Sequence, residues 1–429
     1  MTLLYALIWI SVAEGLIYLM VGTNAQYLAL VYPLLIYIGL VRSPKCLVSS
    51  LHRVPAVGYF LAYSVLLLAI GALTQHSWFT AAFYWKQLYL FAAVVLLVAG
   101  GDRKLNRLII LAGIATGLLG LVEWLVGPSW VSWLNSSLDW RHVEVLSYFR
   151  LDYIAGVYRV NSSFRDSFNF GDFSAVVLLL SLLSREVNPG VRIAAGGLAA
   201  IGVWISGSRD SLLFAGVAIV SALLYVRMGS RGRWAVLLGS LLLPGLVLIL
   251  GSKVLLGLGL TGRWSLGSVG IRMDNWVYVI QSVWQPHNWS RFLFGGGLGT
   301  TIAFATGQLL PIDNFYLFIL TESGVTALLG WLIFGGWLAK RFIAERDNRK
   351  FAAAFGLLAG MAAASWFRPE WAEFPLQLIV WALLGNGVGS RQLRATKQQA
   401  GSGHLPASRA GTARADGVDA TPRHRSVAE

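Results

Sequence analysis

The chain has 429 residues, 56% of them hydrophobic and 13% charged, with 18 Trp, 47 Gly and a formal net charge of +14. Soluble domains carry about 25% charged residues, so this composition speaks against an ordinary soluble fold and points to a polytopic membrane protein. A single cysteine, Cys46, excludes an intrachain disulfide and any zinc site built on several thiolates. The basic excess needs no nucleic-acid partner, because basic loops held on the cytoplasmic side account for it.

Apolar stretches of about 17–25 residues can cross the hydrocarbon core. Twelve are predicted, at approximately 3–21, 26–41, 57–73, 81–100, 107–127, 170–184, 191–207, 211–227, 234–251, 313–339, 351–366 and 371–388. The first lacks a basic leader and is long enough to span, so it is expected to be a retained helix rather than a cleaved signal. Glu14 and Lys86 fall inside the first and fourth stretches, where pairing with each other across the bundle is expected. The fold class predicted is therefore all-α, a transmembrane helix bundle of about 12 spans.

Basic residues follow the even-numbered stretches: Arg42, Lys45 and Arg53; then Arg103, Lys104 and Arg107; then Arg227, Arg231 and Arg233; then Lys340, Arg341, Arg346, Arg349 and Lys350. The positive-inside rule then puts both termini in the cytoplasm. Two long loops, about 128–169 and 252–312, fall on the outer side, and loops of such length are usually functional. Residues 1–389 form the membrane domain. The tail 390–429, rich in Gly, Ala, Ser and Arg, is expected to be disordered, cytoplasmic and drawn to anionic lipid. No internal repeat is visible.

By this topology, five polar clusters gather at the outer face. YRVNSSFRDSFNFGDF holds Arg159, Arg165, Asp166, Asn169 and Asp172. SGSRDS holds Ser208, Arg209 and Asp210, and TGRWSLGSVGIRMDNW holds Arg263, Arg272, Asp274, Asn275 and Trp276. FGGGLGTT supplies Gly295, Gly296, Gly297 and Gly299, and DNFYLFILTESG supplies Asp313, Asn314 and Glu322. Several arginines on one face suit a polyanion, since guanidinium grips phosphate oxygens through two parallel hydrogen bonds. Glycines permit tight turns and close approach of a ligand, whose oxygens their amides can meet. Each cluster also has a plainer role. Asp313 is either the N-cap of a helix or part of a site; Glu322, inside an apolar run, needs a partner; Arg209 and Asp210 can pair with each other and with lipid. No cluster has metal-ligand spacing, and no metal or cofactor is expected.

The order of these clusters resembles the O-antigen ligase and polymerase family of bacterial envelopes. The matching features are Arg209 in SGSRDS, Arg272 and Trp276 in GIRMDNW, the glycines of FGGGLG, and DNFYLFILTESG from Asp313 to Gly324. The strongest likeness covers about 206–330. The resemblance implies a metal-independent, inverting glycosyltransferase in the bacterial cytoplasmic membrane, with its site on the outer face. Its donor and acceptor are glycans on polyprenyl diphosphate, and a chain-length regulator and a flippase of the same pathway are implied partners. Asp313, Arg272 and Arg209 become catalytic candidates: arginines stabilise the departing diphosphate and Asp313 acts as base. Arg159, Arg165, Arg263, Trp276, Gly295, Gly297, Gly299, Asn314 and Glu322 become substrate-binding candidates, with Asn314 orienting the acceptor and tryptophans stacking on sugar rings. In the ligases a histidine is expected where Asp313 stands, which favours a polymerase of repeat units. A ligase that moves finished glycan to a lipid or protein acceptor, and a transporter or flippase, are the alternatives.

Overall fold

The computed structural model describes residues 2–21, 28–42, 44–75, 78–99, 101–102, 104–127, 153–154, 157–164, 166–257, 276–277, 279–281, 289–298, 312, 314–344, 349–368 and 376–401. Every one of the predicted apolar stretches is helical over most of its described length. In chain order the helices are α1 (Thr2–Val12), α2 (Glu14–Val21), α3 (Leu28–Val41), α4 (Pro44–Arg53), α5 (Pro55–Gln75), α6 (Trp78–Leu88), α7 (Val94–Val98) and α8 (Leu105–Val126). They continue as α9 (Ser167–Leu183), α10 (Pro189–Ile205), α11 (Arg209–Arg227), α12 (Ser230–Gly257), α13 (Trp289–Phe294), α14 (Phe315–Ile343), α15 (Arg349–Ala364) and α16 (Leu376–Gly401). One exception to the all-α pattern is a two-residue ladder, β1 (Tyr153–Ile154) antiparallel to β2 (Val157–Tyr158), with Tyr153 opposite Tyr158.

Five helices are long and apolar enough to cross a membrane: Pro55–Thr74, Leu105–Val126, Arg209–Arg227, Ser230–Leu248 and Phe315–Ile343. The pair Trp78–Leu88 and Leu90–Val98, bent by 48°, makes a sixth if it is one span. The remaining apolar helices run 10–17 residues. Leu242, Leu243, Leu246 and Val247 of α12 are all exposed. Such a stripe is costly in water and at ease against lipid tails.

The bundle is built around α9, α11, α15 and the first turns of α16, with α11 lying along α15 and α9 along α10 and α11. The α11–α15 seam is made of small residues. A Cβ on Gly356 would collide with the Ala218 carbonyl, and one on Gly360 would sit 2.6 Å from the Phe214 ring. This is how helices approach closely where no hydrophobic effect drives them together.

Three predicted single stretches are broken, the first and third where another part of the chain packs against a glycine. At 3–21 the Gly15 amide leaves the helical ladder to donate to the Ser163 carbonyl at 2.9 Å. At 81–100 a 3₁₀ turn, Leu90–Ala93, makes the bend. At 313–339 Gly324 takes φ 75° and ψ −175° in the middle of α14. Arg233, expected in an open cytoplasmic loop, is instead buried. Its Nε donates to the Tyr225 carbonyl at 2.9 Å and its Nη1 to the Ile343 carbonyl at 3.1 Å, tying the ends of α11 and α14 together. A cation is favoured there because the last carbonyls of a helix are unpaired and carry partial negative charge.

Candidate functional site

The segment from Arg159 to Phe164 enters the bundle and is buried throughout. Its polar backbone must find partners there. Glu123, fully buried near the end of α8, supplies several. Its carboxylate accepts from the Tyr158 hydroxyl, from the Asn161 amide at 3.1 Å and from the Ser162 amide at 2.7 Å. Ser162, at φ 54°, is the one non-glycine residue with positive φ among those described, and its hydroxyl donates to the Thr116 carbonyl at 2.7 Å. Ser163 donates to the Val12 carbonyl at 2.6 Å, locking the segment into the α1–α2 break.

This anchoring fixes Arg159. Only 2% of Arg159 is exposed, and its Nε donates to the Ser206 carbonyl at the end of α10 at 2.8 Å. The SGSRDS turn wraps around it. Gly207 holds φ 61°, and a Cβ there would lie 3.2 Å from the Arg159 Cγ. The serines of the turn serve as caps: Ser208 accepts from the Ser211 amide at 3.1 Å as the N-cap of α11. Arg209, at the first position of that helix, is exposed.

Asp166 is the N-cap of α9, accepting from the Asn169 amide at 2.8 Å. Asp172, six residues on, is fully buried and accepts from the Ser211 hydroxyl at 2.6 Å. Arg368 arrives from the turn after α15. Its guanidinium lies 3.5 Å from Asp172 and 3.9 Å from Asp166. Arg159 and Arg368 both stand over the ring of Phe168, at 4.2 and 4.4 Å from its centroid.

The same turn receives the head of α14. Phe315 donates its amide to the Ser365 carbonyl at 2.9 Å, and Asn314 donates to the Trp366 carbonyl at 3.2 Å. Asn314 is buried and caps α14, accepting from the Leu317 amide at 3.0 Å. The capping role open to Asp313 therefore belongs to its neighbour, whose amide is engaged at both ends. Trp276 is buried with its ring 6.2 Å from that of Trp366. Trp366 in turn donates to the Leu241 carbonyl at 2.6 Å.

Gly295, Gly297 and Glu322 form a separate grouping. Gly295 and Gly297 have φ of 75° and 95°. What these glycines approach is protein: the Gly296 amide donates to the Thr321 carbonyl at 2.8 Å, and a Cβ on Gly295 would lie 2.5 Å from the Ser323 amide. FGGG is thus seated in the break of α14 made by Gly324. Glu322 is fully buried beside that break, roughly 12 Å along the helix from Asn314 at 1.5 Å per residue.

Asp313, Arg165, Arg263, Arg272 and Gly299 lie outside the described residues. Of the remaining candidates, Arg159, Arg209, Asn314 and Trp276 come to one end of the bundle: Asn314 and Trp276 meet Trp366, Arg159 shares the Phe168 ring with Arg368, and Arg209 stands at the head of α11. Two members of the cluster had no sequence signal of their own. Glu123 is one acid in an apolar stretch, and Arg368 stands in FRPE at the end of another; only their distant partners reveal them. Among the described residues no group of three or more His, Cys, Asp or Glu comes together. Such an end, with buried guanidiniums beside carboxylates and hydroxyls, can hold a multivalent oxyanion. Compared with known proteins, the chain matches no protein-family model, no curated protein and no solved structure.

Proposed function

We propose that the chain is a membrane glycosyltransferase that polymerises oligosaccharide repeat units carried on polyprenyl diphosphate. In this reading the helical stretches make about 12 spans with both termini cytoplasmic. The end that holds Arg159 faces outward from a bacterial cytoplasmic membrane. The acceptor hydroxyl of one lipid-linked unit attacks the anomeric carbon of another, and the lipid diphosphate leaves. Charge develops on that diphosphate as the bond breaks, and arginines placed in a dry site stabilise it most. Arg159 is held for this by Ser206, and Arg209 and Arg272 are its proposed companions. Asp313 takes the proton of the acceptor. Asn314, engaged as a helix cap, contributes by fixing the backbone next to Asp313.

The observation that supports this reading is the meeting, at one end of the bundle, of three polar stretches far apart in the chain: 158–172, 206–211 and the head of α14. A buried arginine held by a distant carbonyl, with a second arginine at the neighbouring helix head, suits a polyanionic headgroup. The test is the length of glycan made by Arg159→Ala, Arg272→Ala and Asp313→Asn variants in a strain lacking the native gene. The expected product is single repeat units from each, with polymer restored by the wild-type chain. Long chains stranded on the carrier lipid in that strain would instead mark a ligase, and normal polymer from all three variants would remove the assignment altogether.

A further inference from the structure

The geometry points to Arg368 as a further ligand-binding residue, pairing with Arg159 beside Phe168 to grip a diphosphate between two guanidiniums. For the identity of its ligand this inference rests on the reading above. Both guanidiniums lie over one ring, at 4.2 and 4.4 Å. The two centroid distances bound the separation of the cations at roughly 9 Å, and a diphosphate lying past the edge of the Phe168 ring can take hydrogen bonds from both. The ring supports each cation by its negative face.

The two arginines are held differently. Arg159 is buried and bonded to the Ser206 carbonyl at 2.8 Å, so its position is set before any ligand arrives. Arg368 has 12% of its side chain exposed and meets Asp172 and Asp166 at 3.5 and 3.9 Å. Tight charge-assisted pairs close to about 2.7–2.9 Å, so these are loose contacts that a phosphate can outbid. The backbone carrying Arg368 is firm, because Ser365 and Trp366 accept from Phe315 and Asn314. In the absence of ligand, Asp166 and Asp172 balance the charge of Arg368. On binding, the guanidinium turns from them to the phosphates, and Asp172 keeps its 2.6 Å bond from Ser211.

The full-length protein in nanodiscs tests this by titration with farnesyl diphosphate, farnesyl monophosphate and inorganic pyrophosphate. Wild type is expected to prefer the diphosphate over the monophosphate. Arg368→Ala is expected to lose on the order of ten-fold in affinity for farnesyl diphosphate, and with it most of that preference. The loss should be similar for inorganic pyrophosphate, because the headgroup is what is gripped. Loss confined to the farnesyl ligand would overturn the inference. Arg368→Lys keeps the charge and the carboxylate contacts but not the planar fork, so intermediate affinity is expected. Should the alanine variant not fold, full diphosphate preference in Arg368→Lys overturns the inference on its own. Asp172→Asn is expected to tighten binding several-fold, since the competitor for Arg368 becomes neutral while Ser211 keeps an acceptor. Unchanged affinity and preference in Arg368→Ala, or no preference in wild type, would also overturn it. Repeat-unit polymerisation is a separate readout. A wild-type chain that shows the diphosphate preference but makes no polymer removes the glycosyltransferase reading and leaves the grip. A polymerising chain with Arg368→Ala unchanged removes the grip and leaves the reading.

Discussion

Glu123 holds three donors in a place where water cannot stand in for it. The Tyr158 hydroxyl and the Asn161 and Ser162 amides all point at its carboxylate. Each buried donor left without an acceptor costs about 1–3 kcal/mol. Glu123→Ala should therefore unfold at a markedly lower temperature in detergent and expose residues 157–164 to protease. Glu123→Gln, which keeps one carbonyl oxygen, should fall between it and wild type. A Glu123→Ala protein that melts with wild type would show that the segment is held by other contacts. None of this was readable from the chain, because the partners lie 35–39 residues from Glu123 and a lone acid in an apolar stretch announces no partner. The caps were closer to the surface of the sequence. Asp166, Ser208 and Asn314 each stand just before an apolar run, where an oxygen can take the next turn's amides, although on sequence that last cap was open to Asp313 and the structure gives it to Asn314.

At the scale of elements, existence was legible and continuity was not. Uniform apolar runs made the helices predictable. Their breaks depend on what packs from outside: Ser163 against Gly15, and Leu293 and Gly295 against Gly324. Glycine content likewise says little until neighbours are known. Gly356 and Gly336 are both glycines within helices, yet a Cβ on Gly356 would collide with the Ala218 carbonyl, while one on Gly336 would meet nothing within 4 Å. Gly356→Ala should push α15 from α11 and destabilise the protein by about 1–3 kcal/mol. If the proposed function holds, it should also lower glycan polymerisation, because α15 carries the turn that presents Arg368. Gly336→Ala should be neutral or stabilising by up to about 1 kcal/mol, since glycine alone weakens an exposed helix. Thermal unfolding of the two variants side by side decides it: equal losses in both would mean that helix propensity, not the seam, sets the outcome.

For the whole molecule, the polar links sort into two ends. At one, Arg159 meets Ser206, Arg368 meets Asp172, and Asn314 meets Trp366. At the other, Asn106 meets Glu186, Asp102 meets Asn386, and Arg233 meets Ile343. Helices α8, α9, α11 and α14 each run from one set to the other, so the two ends sit on opposite sides of whatever layer surrounds the exposed apolar stripes. Their charge differs in kind. The first end mixes arginines with Glu123, Asp166 and Asp172, whereas Arg227, Arg231, Lys340 and Arg341 cluster at the second with few acids among the described residues. Cytoplasmic loops keep such basic excess because translocating it is unfavourable, and the proposed function accordingly takes the second end as cytoplasmic and the first as outer. A single cysteine in the chain makes this measurable, since Cys46→Ser leaves a thiol-free background. In that background, a cysteine at Asp210, exposed enough at the head of α11 to react, should take up a membrane-impermeant maleimide on intact cells stripped of their outer barrier. A cysteine at Arg231 should label only after the membrane is opened. The reverse pattern would turn the bundle over and place the arginines on the cytoplasmic side, where a donor exported on its lipid carrier could not reach them. Labelling of both positions from outside would mean that α11 does not cross at all, and the outer-face site would go with it.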